Sequence, residues 1–351
     1  MPDSIANKIT TWQLSFGRKN LPWQHNITPY RVWVSEVMLQ QTQVTTVIPY
    51  YNRFMHSFPS VDSLADSHEA LVIEHWAGLG YYQRARNLHK TSKIIQSDNQ
   101  SIFPKKPEGL IQLPGIGKST AHAILSICHD APYPILDGNV KRVLSRYYGI
   151  SEAVDKTETI KKLWSLAAQA MPQQNCRIYT QGIMDLGATI CHKKPLCISC
   201  PLQNSCIAFQ KNIQTQIPVK KPRNKKHKQD LYCLCYFHNG KLLMQQRDEV
   251  GIWPKLWCPP IEKTLTSTEN NRTVLRLSPY KHILTHIEMT IHPVIILPQL
   301  DDPLPPGKWI DEKQALTIGV PSAIKKLILN QCLFQLVKNQ LSNTRNSPVT
   351  L

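Results

Sequence analysis

Apolar residues recur at three- and four-residue spacing over 30–44, 68–79, 117–128, 137–148 and 157–170, the period of a helix with one buried face. Residues 1 to about 210 are therefore predicted to be almost entirely helical. The texture changes at QTQIPVKKPRNKKHKQD (214–230), where apolar residues thin out and six Lys or Arg gather with two Pro, as in a solvated linker. Beyond it, DLYCLCYFHNGKLLMQQR sets two β-prone runs on either side of Asn239-Gly240, the pair that supplies the positive φ angles of a tight hairpin. IEMTIHPVIILP predicts another strand, and PSAIKKLILNQCLFQLVKN a closing helix begun at Pro321. The expected organisation is a mainly α domain over 1–213, a basic linker over 214–230 and a smaller α+β domain over 231–345.

Composition narrows the function. A chain of 351 residues exceeds one ordinary core, given about 100–200 residues per domain. Forty-one Lys plus Arg against 24 Asp plus Glu give a formal charge of +17. An excess of that size favours a polyanionic partner, nucleic acid before an anionic membrane surface, because each neutralised phosphate releases counterions. The N-terminus, MPDSIANKITTWQLSFGRK, has no signal-peptide core, and no stretch approaches the roughly 20 apolar residues of a membrane span. The expectation is a soluble intracellular protein with no membrane partner. In such a compartment thiols stay reduced, so clustered cysteines point to metal rather than disulfides.

CHKKPLCISCPLQNSC holds that cluster: Cys191, Cys197, Cys200 and Cys206, with five, two and five residues between them. Short loops close at little entropic cost, so four thiolates can surround one centre. Zinc and a [4Fe-4S] cluster both accept four Cys, and spacing alone leaves the two open. The six remaining cysteines are scattered among apolar residues and read as small buried hydrophobes.

Four further stretches carry candidate chemistry. RVWVSEVMLQQTQV places one carboxylate, Glu36, in an apolar helix, with Gln40 and Gln43 following at i+4 and i+7; this polar stripe faces either water or a cleft. LPGIGKSTAHAI is a Pro-Gly-x-Gly turn leading into a helix, where Gly115, Gly117 and Lys118 either grip a phosphate backbone or simply permit the turn. In PILDGNVKRVLSRYYG, Asp137 precedes a helix and is either an N-cap or a reacting acid. WAGLGYYQRARNLHK sets Tyr81 and Tyr82 beside Arg84, Arg86, His89 and Lys90, a composition suited to base stacking and phosphate contact, or to a packed helix with a solvated basic face.

Together these stretches resemble the helix–hairpin–helix DNA glycosylase superfamily, and within it the adenine-removing glycosylases. PWQHNITPYRVWVSEVMLQQTQV, GLGYYQRARNL, LPGIGKSTAHAIL, ILDGNVKRVLSR and MDLGATIC match in order, so the likeness covers residues 8 to about 210. It implies a mainly α glycosylase core with an iron–sulfur subdomain. Glu36 then matches the acid that protonates adenine at N7, and Asp137 the carboxylate that stays ionised beside the oxocarbenium-like sugar, a division of labour akin to that of paired glycosidase carboxylates. Asn139 matches a residue supporting that aspartate, and Lys141 a lysine near the sugar-phosphate. Gln40, Gln41 and Tyr81 or Tyr82 match groups that fill the space left in the duplex and touch the opposite base.

The resemblance also implies a [4Fe-4S] cluster on Cys191, Cys197, Cys200 and Cys206, although the first loop is one residue shorter than the usual six. His192, Lys193 and Lys194 would contact phosphates. Ser119 stands where lyase-active relatives carry a nucleophilic lysine; Lys118 lies one residue earlier, about 100° around the helix, which predicts a monofunctional glycosylase. The C-terminal part resembles a Nudix/MutT-like domain through LLMQQRDEVGIWPKLWCPP and YKHILTHIEM. Residues 259–280 lack the Glu-rich helix that holds magnesium, so phosphohydrolase chemistry is not predicted. Leu284, Thr285 and His286 match the loop that reads 8-oxoguanine. The implied substrate is double-stranded DNA with adenine opposite 8-oxoguanine or guanine, and the implied setting is a monomer in a bacterial cytoplasm.

Overall fold

Helices form where the apolar spacing places them, and side chains at their starts satisfy the free N–H groups. In the computed structural model, which describes residues 4–221, 226–265, 273–284, 287–298, 304–330 and 332–345, Ser4 caps α1 (Ile5–Phe16) and Thr28 caps α2 (Pro29–Leu39). Next come α3 (Val44–Ser57), α4 (Val61–Ala65), α5 (Glu69–Trp76), α6 (Gln83–Asn99) and α7 (Pro107–Ile111). The series continues with α8 (Lys118–His129), α9 (Gly138–Tyr147), α10 (Thr157–Ala170), α11 (Cys176–Thr189) and the short α12 (Ile207–Gln210).

One predicted helix is broken. The stretch 30–44 leaves helical geometry after Leu39, because Gln41 adopts a left-handed φ of 56°, and α3 begins afresh at Val44. The break turns the glutamines out of the helix, which becomes important below.

The helices pack around α11, which contacts α1, α8 and α9, while α2 lies against α8. Glycines permit the tightest of these approaches. A Cβ on Gly182 would come within 2.8 Å of Ile9 in α1, and one on Gly187 within 2.6 Å of the Asn139 Cβ in α9. Trp33, Val34 and Met38 of α2 are fully buried, so α2 is a core element rather than a surface helix.

Among the described residues eight strands follow: β1 (His227–His238), β2 (Lys241–Gln246), β3 (Trp257–Cys258), β4 (Ile261–Glu262), β5 (Thr273–Arg276), β6 (Tyr280–Ile283), β7 (Ile287–Leu297) and β8 (Lys308–Ile310). β1 and β2 form the hairpin expected around Asn239-Gly240, with φ of 49° and 73° at the turn and His238 opposite Lys241. The strand predicted in IEMTIHPVIILP is β7, which pairs in parallel with β1 and antiparallel with β5 and β6. Leu234, Tyr236, Leu243, Val294 and Ile296 form its core cluster. The predicted closing helix is instead two, α14 (Ser322–Asn330) and α15 (Leu333–Arg345), after a short α13 (Glu312–Thr317); Cys332, at φ 47°, separates them.

Contacts divide the chain into two compact units, Met1–His68 with Gln83–Arg223, and Glu69–Tyr82 with Asn224–Leu351. Two details differ from the expected boundaries. Within 214–230, Ile217 is buried and its carbonyl accepts from Arg146 at 2.9 Å, while β1 already begins at His227, so the charged residues mask segments that are packed or paired. The segment 69–82 sides with the C-terminal unit: the Tyr82 hydroxyl donates to the Val320 carbonyl at 2.8 Å, and Gly319 abuts Ile73. Among the described residues no helix is long and apolar enough to cross a membrane.

The close approach at Gly187 yields a test of this packing. Gly187→Ala must displace α9 or α11, and unfolding in urea is expected to show a loss of about 1–3 kcal/mol, the usual effect of overpacking; an unchanged midpoint would mean that the two helices are not in contact there.

Candidate active site

Burial of α2 on nearly every face leaves one polar position, Glu36, directed at a cavity of about 780 Å³. Gln40 and Gln43 line the same cavity, so the polar stripe read from the sequence borders a cleft rather than bulk water. Glu36 is half-buried, and among the described residues nothing donates a hydrogen bond to it. Burial disfavours its charged form, and the nearby negative charge of Asp137 adds to the effect; together they push the carboxyl up to about 7.

Asp137 reaches the cavity from another direction and in another environment. It is the N-cap of α9 and accepts from the Val140 N–H at 2.7 Å, so the capping role and the cavity-lining role coincide. Burial raises this carboxyl as well, but the N–H groups of Val140 and Asn139 and the charges of Arg142 and Lys141 pull against that rise. Glu36 has no such support. The two acids thus share a cleft with opposite provisions for the charged form.

The first turn of α9 is held by Arg142. Its Nη2 donates to Asn139 Oδ1 at 2.8 Å and to the Gly187 carbonyl at 2.6 Å, and its Nε donates to the Cys191 carbonyl at 2.7 Å. One turn on, the buried Arg146 donates to the carbonyls of Cys191 and His192 and to Cys191 Sγ, at 3.2, 2.7 and 3.3 Å. Cys191, Cys197, Cys200 and Cys206 all line one small cavity beside Arg146. Burial, and then the proximity of the other thiols, raises Cys200 to about 12 and moves Cys197 and Cys206 in the same direction. Among the described residues no three His, Cys, Asp or Glu side chains are grouped closely enough to hold a metal ion.

The cavity gathers Glu36, Gln40, Gln41, Ser119, Asp137 and Asn139 from the sequence candidates. Ser119 accepts from the Leu136 N–H at 3.1 Å, which ties the start of α8 to the residue before Asp137. Lys118 is turned away, its ammonium 4.4 Å from the centre of the Trp164 ring, and it does not line the cavity. Gly115 has a φ of 79° and meets Asn87, so this hairpin needs glycine for its turn whatever else it binds. Gly117 caps α8 with open space around it. Lys141 is half-buried beside the site, and Arg86 lies in α6, outside the cavity lining.

The tyrosine pair splits. Tyr81 is half exposed at a left-handed φ of 49°, whereas the Tyr82 hydroxyl is engaged by Val320. Arg84, read as a phosphate contact, is instead directed at backbone carbonyls of α2. Thr285 and His286 lie outside the described residues.

Several cavity residues were not singled out from the sequence. Asp185 is buried and receives the Arg18 guanidinium, Nε at 2.9 Å and Nη2 at 2.5 Å, as well as the Arg18 N–H. Trp23 and Gln181 complete that wall. Asp185 sits in the matched stretch MDLGATIC, where an acid at a buried helical position was a signal; Arg18 has no local pattern to mark it.

The raised Glu36 carboxyl has a consequence for stability. Its folded value, about 7, exceeds its ordinary 4.5, so it does not affect folding below pH 4.5 and becomes destabilising as pH rises through that interval. Glu36→Gln removes the penalty. The variant is expected to be up to about 3 kcal/mol more stable than the parent at pH 8, with the gain vanishing near pH 4; a gain independent of pH in denaturant titrations would contradict the assigned shift.

Comparisons with known proteins agree with this geometry. Residues 34–169 match the model of the HhH-GPD superfamily of base excision DNA repair proteins, and residues 231–330 match that of the NUDIX domain. The chain is 40% identical to the adenine DNA glycosylase of Buchnera aphidicola subsp. Baizongia pistaciae, over 91% of this chain and 94% of that one. It is 31% identical to the adenine DNA glycosylase of Arabidopsis thaliana, over 88% of this chain and 61% of that one. A thermostable thymine-DNA glycosylase of known structure superposes with a TM-score of 0.54 at 26% identity, covering 59% of this chain and 95% of that one. An endonuclease III bound non-covalently to DNA shares the fold, with a TM-score of 0.50 at 20% identity, covering 60% and 95%. With a half-buried acid and a capped aspartate facing one cleft, and a match to the Buchnera enzyme over nine-tenths of both chains, the chain belongs to the adenine DNA glycosylase family.

Proposed function

We propose that this protein hydrolyses the N-glycosidic bond of adenine in DNA, where adenine stands opposite 8-oxoguanine or guanine, and that it does so without cleaving the strand. The observation that carries this reading is Glu36, held near a neutral pKa in a cavity it shares with Asp137. A base inside a duplex cannot reach such a site, so the nucleotide must be extruded, as glycosylases do. The cavity, about 780 Å³, falls within the range of ligand pockets and is roomy enough for a nucleoside.

The chemistry follows from the two environments. Protonated Glu36 gives its proton to N7 of adenine, which makes the base a better leaving group. As the C1′–N9 bond breaks, positive charge develops on the sugar, and ionised Asp137 stabilises it; the Val140 and Asn139 N–H groups favour that ionised form. Water then adds at C1′ and loses a proton, leaving a baseless site. Asn139 stands between Arg142 and Gly187 and keeps the start of α9 in register. Ser119 lines the cavity while Lys118 rests on Trp164, so neither of these two positions presents an amine to C1′. That arrangement supports a monofunctional enzyme.

DNA contacts are assigned in the same spirit. Gln40 and Gln41 border the cavity where an extruded base would leave a gap, and Tyr81 exposes half of its side chain. Gly115, Gly117, Lys118, Lys141 and Arg86 are proposed backbone contacts, in keeping with the +17 charge. Thr285 and His286 are proposed readers of the oxidised base.

Cys191, Cys197, Cys200 and Cys206 are proposed to hold a [4Fe-4S] cluster. The four thiols line one cavity beside Arg146, and the resemblance of this stretch to the cluster loop of the helix–hairpin–helix glycosylases favours iron–sulfur over zinc. When bound, the cluster would cross-link the loop that Arg146 organises. Chemical analysis is expected to find iron and sulfide and no stoichiometric zinc, and Cys200→Ser is expected to lower iron content and thermal stability together.

The catalytic test uses end-labelled duplexes with adenine opposite 8-oxoguanine, developed with hot alkali. Glu36→Gln is expected to reduce single-turnover cleavage about 10²–10⁴-fold, the range for a lost general acid; parent-like cleavage would remove Glu36 from the mechanism. Because protonated Glu36 is the active form, the rate should fall about tenfold per pH unit above its pKa of about 7. Ser119→Lys, which puts an amine in the cavity, is expected to yield breaks without alkali.

A further inference from the structure

Arg84 has a role that the cavity and the comparisons leave unassigned. The last carbonyls of a helix find no partner within it, and in α2 these belong to the turn directly after Glu36. Arg84, at the start of α6, donates through Nη1 to the carbonyls of Val37, Met38 and Gln40 at 2.9, 2.9 and 2.5 Å. Its Nη2 donates to Thr42 Oγ1 at 3.2 Å. The Leu39 carbonyl accepts from the Thr42 N–H at 3.2 Å. A single guanidinium therefore holds acceptors on both sides of the left-handed Gln41, whose φ of 56° a residue other than glycine seldom adopts unaided. Its positive charge also suits the negative end of the α2 dipole.

We propose that Arg84 is a positioning residue: by gripping the C-terminal turn of α2 it sets the depth of Glu36 in the cavity and the course of Gln40 and Gln41, without touching the substrate. The assignment rests on the reading of Glu36 as the acid. It replaces the phosphate contact suggested by the basic, aromatic sequence around residues 81–90. Only a planar fork of several donors can serve carbonyls and a hydroxyl in two directions at once, so lysine is not an equivalent.

The test compares the full-length parent with Arg84→Lys, Arg84→Ala and Glu36→Gln in single-turnover cleavage of the adenine·8-oxoguanine duplex across pH, with thermal midpoints for each. Displacement of a catalytic group by about 1 Å costs on the order of 100-fold, and a loss of that order is expected for Arg84→Ala, with an intermediate loss for Arg84→Lys. The alkaline limb of the profile should move to lower pH, because water admitted at the loosened turn relieves the burial of Glu36. The other charged groups of the cavity, Asp137 and Arg142 from α9, Asp185 from α11 and Arg18, are unchanged in these variants.

A phosphate contact gives a different pattern: weaker duplex binding and a shallower salt dependence, with the saturated rate and the alkaline limb left as in the parent. That result in both Arg84 variants overturns the proposal. If Arg84→Ala does not fold, Arg84→Lys decides alone. If Glu36→Gln retains the parent rate, the acid assignment and the Arg84 role fall together; if Glu36→Gln is inactive while both Arg84 variants match the parent, only the Arg84 role fails.

Discussion

Everything in the proposed chemistry depends on keeping one carboxyl protonated near neutral pH beside another that must ionise. Two exposed acids would both be charged at pH 7 and neither could donate a proton. The chain separates them by environment. Glu36 projects from a helix buried almost all round, and no described group donates to it, so removal from water acts on it with little opposition. Asp137 is buried too, yet it sits where two backbone N–H groups and two cations favour its charge. Placing an acid mid-helix and its partner at an N-cap is enough to produce the difference.

That separation has to be held in place, and arginines do most of the holding. Arg142 and Arg146 project from α9 and take up the carbonyls of the cysteine loop, so the element that presents Asp137 also organises residues 191–193. Arg84 does the corresponding work for α2, and Arg18 satisfies the buried Asp185 in the opposite wall. Buried carbonyls and carboxylates left without donors would be costly. Four of the forty-one Lys and Arg are thus engaged by the protein's own acceptors rather than left for a partner.

The sequence made the helices legible where, as in α9 and α10, one face is buried and the other is not, and that leaves a periodic trace. It did not reveal the end of α2, since Gln41 has no glycine or proline to announce its left-handed turn. The Asn239-Gly240 hairpin was plain for the opposite reason. Glu36 and Asp137 stood out as acids in telling positions, and the cysteines by their spacing. Arg18 and Arg142 did not, because most of their partners are distant in sequence and guanidinium contacts carry no local pattern. For the same reason nothing in residues 81–90 marks Arg84 as a donor to the α2 carbonyls, and the buried Ile217 is hidden in a lysine-rich run.

The central claim concerns the ionisation of one side chain in the DNA-free protein, and it can be measured there. Glutamate carrying ¹³C at its carboxyl carbon, with Glu36→Gln used to assign the resonance, allows Glu36 to be titrated by NMR in the parent and in Asp137→Asn. The account predicts a midpoint near 7 in the parent, falling toward the ordinary carboxylate range without reaching it when the Asp137 charge is removed, because burial is the larger cause. A midpoint near 4.5 in the parent would mean that Glu36 is ionised at neutral pH and that the proton reaches adenine from another group.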